Sequence, residues 1–592
     1  MRLAVAAGAL ALVATACSGS SSPSTSAPGT SAGVTTSTGV GETTSTIPPT
    51  TTVTTTTVAA TTTTPPPQHR IGVRVVDGRG EFYDHLTDER FVVRGANYIF
   101  VRDAVGNWVS EPLDTGHYDR ALLRSDFATL AGAGFTTVRM FIDPCGSPPG
   151  CITRPGFDGL DPVYLDNLAD ALDAAAETGL FLLLTSNDIP DDGGYGALAN
   201  SEASDTFAGY RNAHYLTASG HAAAVAYWDD LMAGLVSRNA RFDHVLGWSL
   251  LNEQWLFALE PPLSLTAGAV TTADGATYDM ADPAQKQAMV ASNLRRYAGA
   301  VRDTIVANDP TALVTMGFFA PQFPNATGIG GDWFVDTVGL VDGGAPFDFY
   351  DFHAYPGEDI SLAQIAENFG MPTLDEIPVV MGEYGAFNHR FPDLRTAARA
   401  VTNWQAESCD LGFDGWLYWS YRADPGVGDA SWDLLAEDGF LLDLLSPVAH
   451  PDPCVAAAVP TSNLAFGAAV TASSQLAGEE AALVVDEDPT TQWGAGAFPV
   501  QWLEVDLGAE HTVTAIRLLV AQFPEGTTIH RVLVGAAPGA LSEVHRFEGT
   551  TAADDLLEFL PDEPLTGVRI VRIETTSSPS WVAWREVEVL GD

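Results

Sequence analysis

Lysine is almost missing from this 592-residue chain: Lys286 stands alone, and 28 Lys and Arg face 75 Asp and Glu, for a formal charge of −47. There is no basic cluster, which argues against nucleic acid and anionic membrane surfaces as partners, because such a surface repels phosphates. Long apolar runs are scarce as well. Beyond the first residues none is long and uninterrupted enough for a membrane-spanning helix. Cysteine is rare, five in all, and neither spacing among Cys145, Cys151, Cys409 and Cys454 suits a zinc ligand pair. His-Glu-x-x-His does not occur, and Gly-x-Ser-x-Gly occurs only at Gly29–Gly33, inside a Ser/Thr/Pro-rich stretch with no strand to carry a nucleophile elbow, which argues against metalloprotease and esterase chemistry.

What is there begins with an address. Met1-Arg2, an apolar run from Leu3 to Ala14 and the small residues Thr15-Ala16 precede Cys17, the layout of an export signal. Residues 1–17 resemble a bacterial lipoprotein signal, with Ala14 where leucine is usual. The resemblance implies a lipid anchor on Cys17 and a place at the outer face of a bacterial cell membrane. An ordinary secretory signal cut nearby is the alternative, and both export the chain. Residues 18–68 are Ser, Thr, Pro and Gly with almost nothing to bury, so they read as a disordered stalk. In an exported chain the four remaining cysteines favour disulfides. Cys145 and Cys151 bracket the GSPPG loop and pair with each other; Cys409 and Cys454 then tie the end of the first domain to its preceding helix.

The remaining part, about 520 residues, is too long for one core. From residue 69 to 454 apolar runs alternate with amphipathic ones. Eight candidate strands, Phe91–Tyr98, Phe135–Ile142, Leu180–Ser186, Val245–Glu253, Ala312–Phe319, Phe347–Tyr355, Ile377–Glu383 and Asp414–Tyr421, predict a (β/α)8 barrel. Between the second and third, DPVYLDNLADALDAAAETG reads as a helix capped by Asp161, with Pro162 in its first turn and Gly179 closing it. Two strands end in a carboxylate: GWSLLNEQW in Glu253 and IPVVMGEYG in Glu383. A carboxylate there is costly to desolvate unless it has a partner or a task, and that end of a barrel is where active sites sit. The two are 130 positions apart, against about 93 for three ordinary units, so an insertion at Glu260–Asp282 follows the fourth strand. That order places the glutamates on the fourth and seventh strands, facing each other. Two glutamates across a cleft are what glycosidic bond hydrolysis requires.

Other strand ends add Arg139, Asn252, His353, Tyr355 and Trp419. In this order the pattern resembles clan A glycoside hydrolases, most closely the family 5 cellulase and mannanase group. The resemblance implies a retaining double displacement on a β-linked glucan or mannan. In it Glu383 is the nucleophile, kept ionised by Arg139 and Tyr355, and Glu253 is the acid and base. Asn252 holds the 2-hydroxyl, Trp419 stacks under the sugar, Trp255 forms a neighbouring subsite and His353 backs the pair. No cofactor is implied for catalysis. The family's proline after Asn-Glu is replaced by Gln254, and the third strand ends in TSND. Trp108, Asp188 and His389 lie in loops over the same mouth.

Residues 455–461 read as a linker, and 462–592 as an all-β sandwich. NLAFGAAVTASSQ, VVDEDPTTQW, QWLEVDLG, TVTAIRLLV and WVAWREVEV resemble a discoidin-type (F5/8 type C) jelly roll and the similar family 32 carbohydrate-binding modules. That resemblance implies a structural calcium near Asp486, Asp488, Thr491 and Glu586, and a carbohydrate partner. Trp581 is a rim candidate, while Trp493 and Trp502 read as core. The expected whole is an exported, monomeric glycosidase with a sugar-binding module. A catalytically silent surface lectin is the rival.

Overall fold

A computed structural model describes residues 69–102, 108–109, 112–142, 151–208, 210–253, 256–319, 340, 344, 346–357, 360–423, 430–450, 462–486, 491–553, 555–561 and 564–591. Residues 1–68, with Cys17, therefore lie outside it, as do Cys145, Cys454, Trp255 and Asp488. Cys151 and Cys409 are both disulfide-bonded. Among the described residues no helix is long and apolar enough to cross a membrane.

The barrel is present. Its parallel strands are, in order, Val93–Asn97, Thr137–Phe141, Phe181–Thr185, Val245–Ser249, a split fifth strand, Tyr350–His353, Val379–Tyr384 and Gly415–Tyr418. The fifth is broken at Met316: Val314–Thr315 pairs with the fourth strand and Gly317–Phe319 with the sixth. One strand thereby closes the barrel. Most of these strands are buried along their whole length, which is why they read as continuous apolar runs. The helix Pro162–Thr178 begins and ends as its sequence predicts: Asp161 accepts from the Val163 amide, and Gly179 takes the left-handed conformation at φ 79°.

The regular ladder of the fourth strand stops at Ser249, short of Glu253. Because its partner breaks at Met316, Leu250 and Leu251 bond irregularly to Thr315 and Gly317, and Glu253 follows as the chain turns over the mouth. The insertion after it carries a short hairpin, Ala269–Thr271 with Thr277–Asp279. A second hairpin, Ile71–Val76 with Arg79–Asp84, was not expected. Ile71 and Phe82 pack with Phe181, Leu246 and Phe349 and plug the end of the barrel opposite the glutamates.

Residues 462–591 form an antiparallel sandwich around Trp493, Trp584, Val505, Leu518 and Ile573. Its organiser is the 20-residue strand Gln501–Val520. The first part pairs with Leu565–Ser577 and the second with Ala583–Gly591, with the register breaking between Asp506 and Val513. Trp493 is core, as expected. Trp502 is not: it is half-buried, with the Arg572 guanidinium 4.3 Å above its ring. Strand alternation puts that indole on the face opposite the buried Leu503, and a cation covers it there.

Candidate active site

Arg139 projects from the second strand into the barrel and is fully buried. Nη1 donates to Glu383 Oε1 at 2.6 Å and to Asn97 Oδ1 at 2.8 Å, while Nη2 donates to Asn252 Oδ1 at 2.7 Å. A guanidinium can do this because its donors form a rigid planar fork. Glu383, 3% exposed, receives a second hydrogen bond on Oε2 from the Tyr355 hydroxyl at 2.6 Å. Burial and the adjacent Glu383 charge push the Tyr355 phenol far above its ordinary range, so it stays a donor.

Glu253 is 6% exposed and hydrogen-bonded to His353 Nδ1 at 2.9 Å. Its acid is pushed up to about 7, chiefly by burial and also by Glu383, against the opposing pull of His353 and Arg139. His353 Nδ1 lies 3.7 Å from Glu383 Oε2 as well. Burial alone would lower the imidazole, but Glu383 and Asp351 outweigh it and raise His353 to about 9. Oxygens of Glu253 and Glu383 and a nitrogen of His353 lie within 4.8 Å of one another. Such a group could hold a metal ion. Here Arg139 already sets a fixed positive charge on Glu383, which a second cation would have to oppose, so the arrangement suits proton transfer better.

The strands must come close for these side chains to meet. A Cβ on Gly317 would lie 1.9 Å from the carbonyl oxygen of Asn252, so only glycine admits the chain carrying the Asn-Glu pair. Trp419 follows the eighth strand and is 6% exposed, packed edge-to-face with Phe141 at 6.4 Å. Tyr355 tilts against Phe387 at 4.5 Å, and His389 stacks on Phe387 from an exposed loop.

Asp188 does not line an open mouth. It is 4% exposed and held by Arg211, by His214 at 3.4 Å and by the Tyr215 hydroxyl at 3.3 Å. A carboxylate compensated on all sides braces the helix Tyr210–Leu216. Trp108 belongs to a two-residue strand paired with Val101–Arg102. Sequence reading missed Asn97, Phe141 and Phe387, at or just after barrel strand ends, and Asp351, inside the sixth strand. The strand-end position could have found the first three, and a charge within an apolar strand the fourth.

In the sandwich, Thr491 Oγ1 donates to Asp486 at 3.1 Å. Glu586, 5% exposed, lies beside that carboxylate; burial and Asp486 push it up to about 8. A buried carboxylate, a half-buried one beside it and a hydroxyl are the hard oxygen donors that calcium takes. Trp581 is 52% exposed.

The C-terminal comparison is specific. Residues 469–587 match the F5/8 type C domain. Among solved structures, this F5/8 type C domain is similar to the family 32 module of C. perfringens NanJ, solved in complex with galactose, at 19% identity and a TM-score of 0.20 over 22% of this chain and 98% of that one. The barrel is similar to an exo-β-1,4-mannosidase from Opitutaceae bacterium strain TAV5, at 18% identity and a TM-score of 0.42, over 65% of this chain and 64% of that one. An endo-1,4-β-mannanase from Rhizomucor miehei gives 16% identity and 0.41 over 59% and 90%. No curated protein matches the chain.

Proposed function

We propose that the chain is a retaining glycoside hydrolase acting on a β-linked glycan of glucan or mannan type, with the F5/8 type C domain as its carbohydrate-binding module. The observation that carries this reading is the approach of Glu253 and Glu383 to within 4.8 Å, each in a different electrostatic setting. Retaining enzymes hold the pair about 5–5.5 Å apart and inverting ones about 6.5–9.5 Å, because inversion needs a water between them. Glu383, bonded by Arg139 and Tyr355, attacks the anomeric carbon. The bond to the leaving oxygen breaks, and that oxygen takes the proton of Glu253, whose raised acid keeps it protonated near neutrality. In the second step Glu253 removes a proton from water, the water oxygen bonds to the anomeric carbon, and Glu383 is released. Asn252 has its Oδ1 taken by Arg139, which leaves Nδ2 to donate to the 2-hydroxyl. Trp419 stacks under the sugar, and Trp255 is proposed for a neighbouring subsite.

Around this core we place the other expectations: export with a lipid anchor on Cys17, disulfides Cys145–Cys151 and Cys409–Cys454, a monomer, and calcium held by Asp486, Asp488, Thr491 and Glu586. The test is release of reducing ends from a panel of β-glucans and β-mannans, followed by NMR of the first-formed anomer. Reducing ends in the β-configuration are expected. A chain that binds these glycans and releases nothing is a lectin instead.

A further inference from the structure

Asp351 is a third carboxylate in the cluster, and no step above uses it. It lies two residues before His353 on the sixth strand and is 0% exposed. Neither oxygen has a hydrogen bond of ordinary geometry. Instead Oδ2 stands 3.5 Å from Arg139 Nε and Oδ1 stands 3.4 Å from His353 Nε2. Burial would raise this acid, but the charges of Arg139 and His353 hold it below its usual range, so it is an anion. The neighbouring strand is cut to fit it. A Cβ on Gly382 would lie 1.6 Å from Asp351 Oδ1, and Gly382 directly precedes Glu383.

A buried anion with no conventional donor is costly unless nearby cations compensate it. The charged and titratable groups around Asp351 are Arg139 from the second strand, His353 from its own, Glu253 after the fourth and Glu383 from the seventh, with the Tyr355 phenol behind Glu383. The fifth strand, paired to Asp351 at Gly317, brings no charge.

We propose that Asp351 is a positioning residue, whose charge holds Arg139 and His353 against the two glutamates and adds directly to the negative field under which Glu253 keeps its proton. This rests on the hydrolase reading. Removing one negative charge makes the cluster bind its protons less tightly, so the alkaline limb of activity moves to lower pH.

The test uses the full chain and a β-linked oligosaccharide that it cleaves, with Asp351→Asn, His353→Gln and the double variant. In D351N, kcat is expected to fall on the order of 100-fold with KM within about threefold, and the alkaline limb to drop by about one pH unit. The loss shrinks in the His353→Gln background, because the imidazole that Asp351 holds is already gone. An unmoved limb, or losses that simply multiply, overturns the proposal. Should D351N not fold, Gly382→Ala displaces the same carboxylate, and the limb is expected to move the same way; a limb that stays put counts against the idea equally. If wild type cleaves no glycan, the hydrolase reading fails by itself. NMR titration of the His353 imidazole then decides the matter without substrate: its pKa falls in D351N if Asp351 supports it, and stays if not.

Discussion

Arg139 Nη1 lies 2.6 Å from Glu383 Oε1, and neither residue is more than 3% exposed. An ion pair this deep is strongly coupled, since little water screens it. The same guanidinium holds Asn97 and Asn252, so one residue of the second strand joins the first, the seventh and the segment after the fourth. Position and charge at the site are therefore set together.

The first prediction concerns that hub. Arg139→Ala leaves Glu383 and Asp351 buried without their cation and is expected to cost about 3–5 kcal/mol in denaturant unfolding, with activity lost. Arg139→Lys keeps the charge but not the fork, and is expected to fold better than the alanine variant while remaining strongly impaired. Equal stability of wild type and R139A in urea would contradict the coupling.

The glutamates should separate by leaving group. Glu383→Gln is expected to reduce turnover of every substrate to background. Glu253→Gln is expected to lose about 10²–10⁴-fold on natural glycans, yet far less on an aryl glycoside whose leaving group needs no proton. Identical losses on both substrates would reassign Glu253.

The pH dependence follows from the same burial. Glu253, at about 7, must be protonated to act as the acid, so kcat/KM should decline as pH rises through about 7. Stability shares the sign. Glu253 is raised from 4.5 to about 7 and His353 from 6.5 to about 9, so the folded state binds protons more tightly than the unfolded one. Their favourable contribution is complete at low pH and is lost as pH rises between about 4.5 and 9. The slope of unfolding free energy against pH in that window should flatten in Glu253→Gln and His353→Gln. A wild-type slope in both variants would rule the assignment out.

For the F5/8 type C domain, calcium at 100 times its dissociation constant is expected to add about 2.7 kcal/mol of stability. Chelation should lower the melting temperature of wild type and leave Asp486→Asn unchanged. Calcorimetric titration showing no calcium uptake by wild type would remove the proposed site.

The two tryptophans of the sandwich should behave oppositely. Trp493→Ala empties a fully buried position and is expected to cost about 3–5 kcal/mol. Trp581→Ala, at a site 52% exposed, should change stability by less than about 0.5 kcal/mol while weakening retention on immobilised glycan.

The barrel was legible because parallel strands buried on both faces read as unbroken apolar runs, and because a helix such as Pro162–Thr178 carries its own start and stop residues. The glutamates were legible as carboxylates ending such runs. The break at Met316 was not, since its cause is the pairing of one strand with two different neighbours. The hairpin under the barrel escaped because two short strands capping a core look like any surface turn. The setting of Asp188 was illegible for a related reason: the groups that neutralise it, Arg211 and His214, come from a later helix.

The amino-acid string by itself determined the alternation that makes a barrel, the two glutamates at strand ends and the order of Arg139, His353, Tyr355 and Trp419 around them. Those are local matters, since burial and capping are written in neighbouring residues. Only the tertiary structure decided that Glu253 meets His353 while Glu383 meets Arg139 and Tyr355, and that Asp351 stands behind both cations. Which charge faces which depends on barrel closure and strand stagger, and an electrostatic environment exists only once those distances are set.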